Sequence, residues 1–146
     1  MNRILVTPRS LTTGGHPALR SLERAGYEVV FCTRGVQPDE GELLRVLPGC
    51  IGYLAGVEKI SARVIETARD LKVIARNGTG VDNIDLEAAR RKGVKIVRAE
   101  GVNARGVAEL TIGLMLAMTR AISFSDMHLK RGEWQRRRGI ELFGRT

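Results

Sequence analysis

The chain has 146 residues, 43% of them hydrophobic and 27% charged, enough to bury the core of one ordinary domain and too apolar for a disordered polymer. No apolar run approaches the roughly 20 residues that a membrane-crossing helix needs, and Met1-Asn2-Arg3-Ile4-Leu5-Val6 enters strand-like sequence without signal-peptide anatomy. The formal charge of +8 raises nucleic-acid binding; residues 1–100 hold 16 Lys/Arg against 12 Asp/Glu and residues 101–146 hold 8 against 4, so each part is +4 and the shorter one is much the denser.

Arg3 to Thr7 predicts a first strand, ended by Pro8. After Gly14-Gly15, Pro17 suits the first position of a helix through Leu22 to Ala25, with Gly26 as its stop. Tyr27 to Cys32 is a second strand. Pro38-Asp39-Glu40 opens a helix containing Leu43, Leu44 and Leu47, closed by Pro48-Gly49, and Cys50 to Leu54 is a third strand. Ser61 can cap a helix with Val64, Ile65 and Ala68 on its inner face. Leu71 to Arg76 is a fourth strand, Asp85 caps a helix from Leu86 to Lys92 ended by Gly93, and Val94 to Val97 is a fifth strand. Strands alternating with helices of about ten residues predict an α/β domain over residues 1–100, a flavodoxin-like, doubly wound, five-stranded parallel sheet. Cys32 and Cys50 stand outside any metal or redox spacing and read as small buried thiols, which fits a cytoplasmic protein.

Residues 101–146 differ. Val107 to Ile122 predicts one long helix whose Val107, Leu110, Ile112, Leu114, Met115, Leu116, Met118 and Ile122 cannot share a face. Burying such a side chain stabilises by about 1.5–3 kcal/mol, so leaving half of them in water forfeits on the order of a whole domain's stability. A helix of this kind needs two covers, one being a partner chain or a further domain. Beyond it, Lys130-Arg131 and Arg136-Arg137-Arg138 surround Trp134 and read as a solvated face or the rim of an anion site, ahead of a nucleic-acid contact.

The chemistry centres on Arg76-Asn77-Gly78-Thr79-Gly80-Val81-Asp82-Asn83-Ile84-Asp85, at the carboxyl end of the fourth strand, where open α/β sheets hold ligands. Gly78 and Gly80 free the backbone to turn and present N–H groups that suit a carboxylate or phosphate; Arg76 adds positive charge. The loop reads equally as a plain tight turn. It is no dinucleotide fingerprint, because Asn83 stands where G-x-G-x-x-G needs its third glycine, and no P-loop occurs. A receiver-type phosphorylation domain is excluded by Thr7-Pro8-Arg9, which occupies the place of that fold's acidic metal ligands.

The block Leu71 to Ala89 resembles the D-isomer-specific 2-hydroxyacid dehydrogenases, particularly those acting on phosphoglycerate. The likeness continues through Gly93-Val94, Asn103 to Thr111, Gly132-Glu133-Trp134 and Glu141 to Thr146. It implies a substrate domain over residues 1–100, then a hinge and dimerisation helix over 101–146 leading into an NAD-binding Rossmann domain that this stretch does not contain. The segment matching Asn77, Gly78, Thr79, Gly80 and Val81 would hold the substrate carboxylate by backbone N–H groups. Thr79 and the hinge residue Asn103 would approach NAD, and the helix from Val107 to Ile122 would form a homodimer. Where several phosphoglycerate dehydrogenases carry Arg-Ser against the substrate, this chain has Ala55-Gly56, which weakens the case for a phosphorylated substrate unless Arg76, Lys59 or a partner's basic segment compensates. His16 and His128 match no catalytic histidine, so no catalytic residue is expected here and the stretch alone should be inactive. The competing expectation is a freestanding dimeric module that binds a small carboxylate without catalysis.

Overall fold

A computed structural model describes residues 2–13 and 15–144; Gly14 of the predicted turn and Arg145-Thr146 of the terminal resemblance lie outside them. The chain divides into two compact units, Met1–Glu100 and Gly101–Thr146.

In the first unit, β1 (Arg3–Val6) is followed by a short α1 (Arg9–Thr12), α2 (Pro17–Arg24) and β2 (Glu28–Phe31), then by α3 (Glu40–Val46), β3 (Cys50–Ala55), α4 (Ala62–Thr67), β4 (Val73–Arg76), α5 (Leu86–Lys92) and β5 (Lys95–Arg98). The five strands form one sheet of order β2-β1-β3-β4-β5, every pair parallel. Four of the predicted strands lose one or two residues at their ends, while β3 gains Ala55 and β5 gains Arg98. Helix α5 spans the expected Leu86–Lys92, the other expected helices run six to eight residues rather than about ten, and the four-residue α1 was not anticipated.

Local chemistry sets the helix ends. Asp39 accepts from the Glu42 N–H at 2.7 Å, Asp85 from the Ala88 N–H at 2.8 Å and Ser61 from the Val64 N–H at 3.4 Å. Each satisfies a donor that the first turn leaves unpaired. Gly93 ends α5 in the left-handed conformation, φ 69°, where a side chain would be strained. At the other end of α4, the Lys92 ammonium donates to the carbonyls of Ile65, Glu66 and Ala68 at 2.6–2.8 Å, tying α5 to the negative end of its neighbour.

The registers place Val30, Leu5, Tyr53, Ile74 and Ile96 in a single row across all five strands. That row belongs to one core with Leu43 and Leu47, Val64 and Ile65, and Ala88 and Ala89. Strand alternation turns Val6 to the opposite face, where it is fully buried outside this cluster, as is nearly all of Leu19 of α2. Cys32 and Cys50 are buried free thiols; burial, then the nearby Glu42, pushes Cys32 up to about 12.

The second unit holds α6 (Ala104–Thr119) and α7 (Ile122–Lys130), bent by 68°. The single helix expected from Val107 to Ile122 is therefore corrected: it starts earlier, ends at Thr119, and Ile122 opens the next helix. The break needs neither Gly nor Pro. The Thr119 hydroxyl turns back onto the Met115 carbonyl at 2.8 Å, the Arg120 N–H reaches Leu116 O at 3.0 Å, and Ala121 takes a left-handed φ of 52°. No single described helix is long and apolar enough to cross a membrane. None of residues 101–144 is buried, and the eight apolar residues singled out above are all exposed.

Candidate functional site

Three segments meet at the carboxyl ends of β1, β3 and β4. The β4 loop is pinned first to β3: Arg76 pairs in register with Ala55, and the Asn77 N–H donates to the Ala55 carbonyl at 2.9 Å. The Gly78 N–H folds back onto Arg76 O at 2.9 Å, closing a three-residue turn. The Arg76 guanidinium lies against this turn, donating to Asn77 O and, at 3.4 Å, to Oδ1 of Asn83. A Cβ on Gly78 would stand 2.5 Å from that guanidinium, so glycine is what lets Arg76 fold over its own loop.

Asn83, which spoils the glycine fingerprint, joins two loops. Its amide donates to the carbonyls of Glu58 at 2.7 Å and Gly56 at 3.3 Å, while Ile60 N–H reaches Asn83 O at 2.8 Å and Asp85 N–H reaches Ile60 O at 2.9 Å. A glycine would forfeit the side-chain bonds. The Thr79 hydroxyl donates to the Ala99 carbonyl at 3.2 Å. The expected five-residue cradle is thereby narrowed, because the N–H groups of Asn77 and Gly78 are spent inside the fold. Those of Gly80, which is exposed, and Val81, which is half-buried, make no hydrogen bond among the described residues. Asn103, named with Thr79 for the cofactor, is the residue before α6, in the other unit.

Ala55 and Gly56 are buried, and beside them stands a residue that the sequence reading missed. Glu58 is 2% exposed. Its Oε1 accepts from the Tyr53 hydroxyl at 2.6 Å, the Gly56 N–H at 2.9 Å and the Thr7 hydroxyl. Gly56 N–H also reaches Thr7 Oγ1 at 3.2 Å. Burial and the adjacent carboxylate push the Tyr53 phenol well above its ordinary range, so it remains a donor. Nothing in Val57-Glu58-Lys59 announces this inversion, in which Val57 is 59% exposed while the charged residue beside it is buried.

His16 caps α2, its Nδ1 accepting from the Ala18 N–H at 3.2 Å. His128 lies within α7 with its side chain 12% exposed, against Glu133 at 2.5 Å. Both are thereby accounted for structurally. Among the described residues no cluster of His, Cys, Asp and Glu could hold a metal ion.

Residues 6–140 match the family model for the D-isomer specific 2-hydroxyacid dehydrogenase, catalytic domain. The chain belongs to this family. It is 56% identical over 131 residues to the D-3-phosphoglycerate dehydrogenase of Methanocaldococcus jannaschii, covering 88% of this chain and 24% of that protein. It is 40% identical over 111 residues to the hydroxypyruvate reductase of Thermotoga maritima, covering 74% of this chain and 36% of that one. The crystal structure of NAD+-bound 3-phosphoglycerate dehydrogenase from Entamoeba histolytica superposes with a TM-score of 0.72 at 28% identity, over 97% of this chain and 43% of that one. The chain thus spans between a fifth and under a half of the proteins it matches.

A dinucleotide does not fit the loops of this sheet. The β4 loop has spent its first two N–H groups, Asn83 fills the third glycine position with a side chain in use, and the β1 turn carries Pro8, which has no N–H to offer a pyrophosphate.

Proposed function

We propose that these 146 residues do the substrate-side work of an NAD-dependent oxidoreductase that interconverts a D-2-hydroxy acid and its 2-oxo acid. The observation that carries this reading is the pair of undonated N–H groups at Gly80 and Val81, on a loop that Asn83 and Arg76 hold rigid. A carboxylate bridging the two would gain charge-assisted hydrogen bonds without first breaking protein ones. Such fixing of the carboxylate orients C2 for reaction. NAD, when bound to the enzyme, supplies the acceptor for the hydride that leaves C2. Its cradle and the group that moves the hydroxyl proton are assigned to polypeptide of the kind that makes the relatives longer than the matched stretch. The relatives' names include both a phosphorylated three-carbon acid and hydroxypyruvate, so they leave the substrate's third carbon open.

The test is binding to a ¹⁵N-labelled chain, followed by NMR. Glycolate, the smallest 2-hydroxy acid, should shift the Gly80 and Val81 amides, and the neutral glycolamide should not. Indifference of both amides to tens of millimolar glycolate, a concentration at which sites of Kd around 1 mM saturate, would overturn the reading. The same 146 residues should oxidise no NADH with hydroxypyruvate.

The apolar surface of α6 is assigned to a second copy in a two-fold dimer. Its exposed Leu110, Leu114 and Met118 form a patch of the kind that marks an interface. A monomeric sedimentation profile at micromolar concentration would refute this.

A further inference from the structure

In a sheet of order 2-1-3-4-5 the strand order reverses between β1 and β3, and the crevice at their carboxyl ends is where the fold opens to a ligand. A cleft of about 210 Å³ lies there, lined in part by Arg9, Ser10, Gln37, Gly56, Glu58 and Asn77. Asn77 belongs both to this cleft and to the carboxylate loop, so the cleft adjoins the proposed site.

The wall of the cleft carries a half-used carboxylate. Three donors converge on Oε1 of Glu58, whereas Oε2 receives no hydrogen bond from any described residue. This second oxygen lies over Gly56, where a Cβ would stand 2.7 Å from it; any residue with a side chain at position 56 would crowd it. No Lys or Arg forms a salt bridge with Glu58 among the described residues. Arg9 also lines the cleft and makes no ion pair among the described residues. Arg9 is exposed, so solvent and salt screen its charge, while the buried Glu58 is screened far less. The cleft therefore presents an acceptor and a negative charge, flanked by the neutral polar groups of Ser10, Gln37 and Asn77.

We infer that Glu58 is a specificity-determining residue that selects a substrate whose tail beyond C2 is neutral and ends in a hydroxyl, against one ending in a phosphate. The inference rests on the carboxylate site at Gly80 and Val81 proposed above. A hydroxyl donates to Oε2 and completes the carboxylate's hydrogen bonding. A phosphate brings two further negative charges beside a buried one and has no proton to give, and the low local dielectric sharpens both effects. Short polyhydroxy acids are the matching substrate class.

The experiment titrates the ¹⁵N-labelled chain with glycolate, D-glycerate and 3-phospho-D-glycerate, in the wild type and in Glu58→Gln. All three ligands should shift the Gly80 and Val81 amides, and D-glycerate should in addition shift the Gly56 amide and the Gln37 side-chain amide. D-glycerate should bind about tenfold more tightly than its phosphorylated counterpart, a factor that corresponds to about 1.4 kcal/mol. Glu58→Gln keeps an oxygen for Tyr53, Thr7 and Gly56 and places a donor where Oε2 stood; it should bring the two affinities within about twofold. Equal or tighter wild-type binding of the phosphate ester, with the Arg9 guanidinium signal moving, overturns the inference, and this comparison does not depend on the variant folding. Shifts at Gly80 and Val81 without any at Gly56 sink the inference alone. Absence of shifts at Gly80 and Val81 sinks the carboxylate site and the inference with it.

Discussion

The two units of the chain are built from similarly apolar sequence and end differently. In Met1–Glu100, alternating strands and short helices converge on one core, and Leu5, Leu43, Ile65 and Ile74 are fully buried. In Gly101–Thr146, α6 carries as many large apolar residues per turn, and Met118 is 81% exposed. A parallel sheet supplies two faces and a matched register, so each apolar side chain finds neighbours from elements far away in sequence. Two helices meeting at a 68° bend bury none of the described residues of their own unit. Apolar content alone therefore does not make a core; the geometry of the layers does.

That contrast predicts a hierarchy of effects. Leu5→Ala should cost about 2–5 kcal/mol of unfolding free energy, whereas Leu110→Ala, at a position 63% exposed, should stay within about 0.5 kcal/mol. Urea unfolding of both variants at a concentration where the chain is monomeric measures the difference, and equal losses would break the comparison. Asn83→Gly should cost about 1.5–4.5 kcal/mol, the sum of its side-chain hydrogen bonds with Gly56, Glu58 and Arg76 at 0.5–1.5 kcal/mol each. Although this substitution completes the glycine pattern, it should confer no binding of NAD, which calorimetry can check. Asp85→Ala should cost about 1 kcal/mol through the lost cap of α5, read by the same urea series.

The smallest effect is kinetic. With Cys32 pushed up to about 12 by burial and Glu42, its thiolate fraction at pH 8 is on the order of 1 in 10⁴. Native protein should resist alkylation there, unfolded protein should react at once, and the native rate should climb about tenfold for each pH unit up to that value. Fast native labelling at pH 8 would show that the first unit opens far more readily than its core implies.

Much of this was legible in the residues. Asp85 and Gly93 bracket α5 because a capping carboxylate and a left-handed glycine are local requirements, met by side chains within a few positions. The five strands were legible because β-branched runs between turn signals need no knowledge of their neighbours. The loop at Arg76–Asp85 was legible as a turn at a strand end, but which of its N–H groups remain available was not. That depends on Ala55 O accepting from Asn77 and on Arg76 O accepting from Gly78. The break of α6 at Thr119 was missed because Arg120 and Ala121 are ordinary helix formers, and only the left-handed turn at Ala121 reveals it.

The sequence by itself determined the class of fold and the order of the five strands, because these follow from periodicity and from short-range patterns, while its resemblance to known sequences pointed to the family. Only the tertiary structure decided that Glu58 turns inward, that Tyr53, Thr7 and Gly56 meet on one of its oxygens, and that Asn83 locks two loops together. Glu58 stands 51 residues from Thr7 and Asn83 stands 25 from Glu58. Charges and hydrogen bonds across such separations depend on the register of β1, β3 and β4, and no local pattern of residues carries that register.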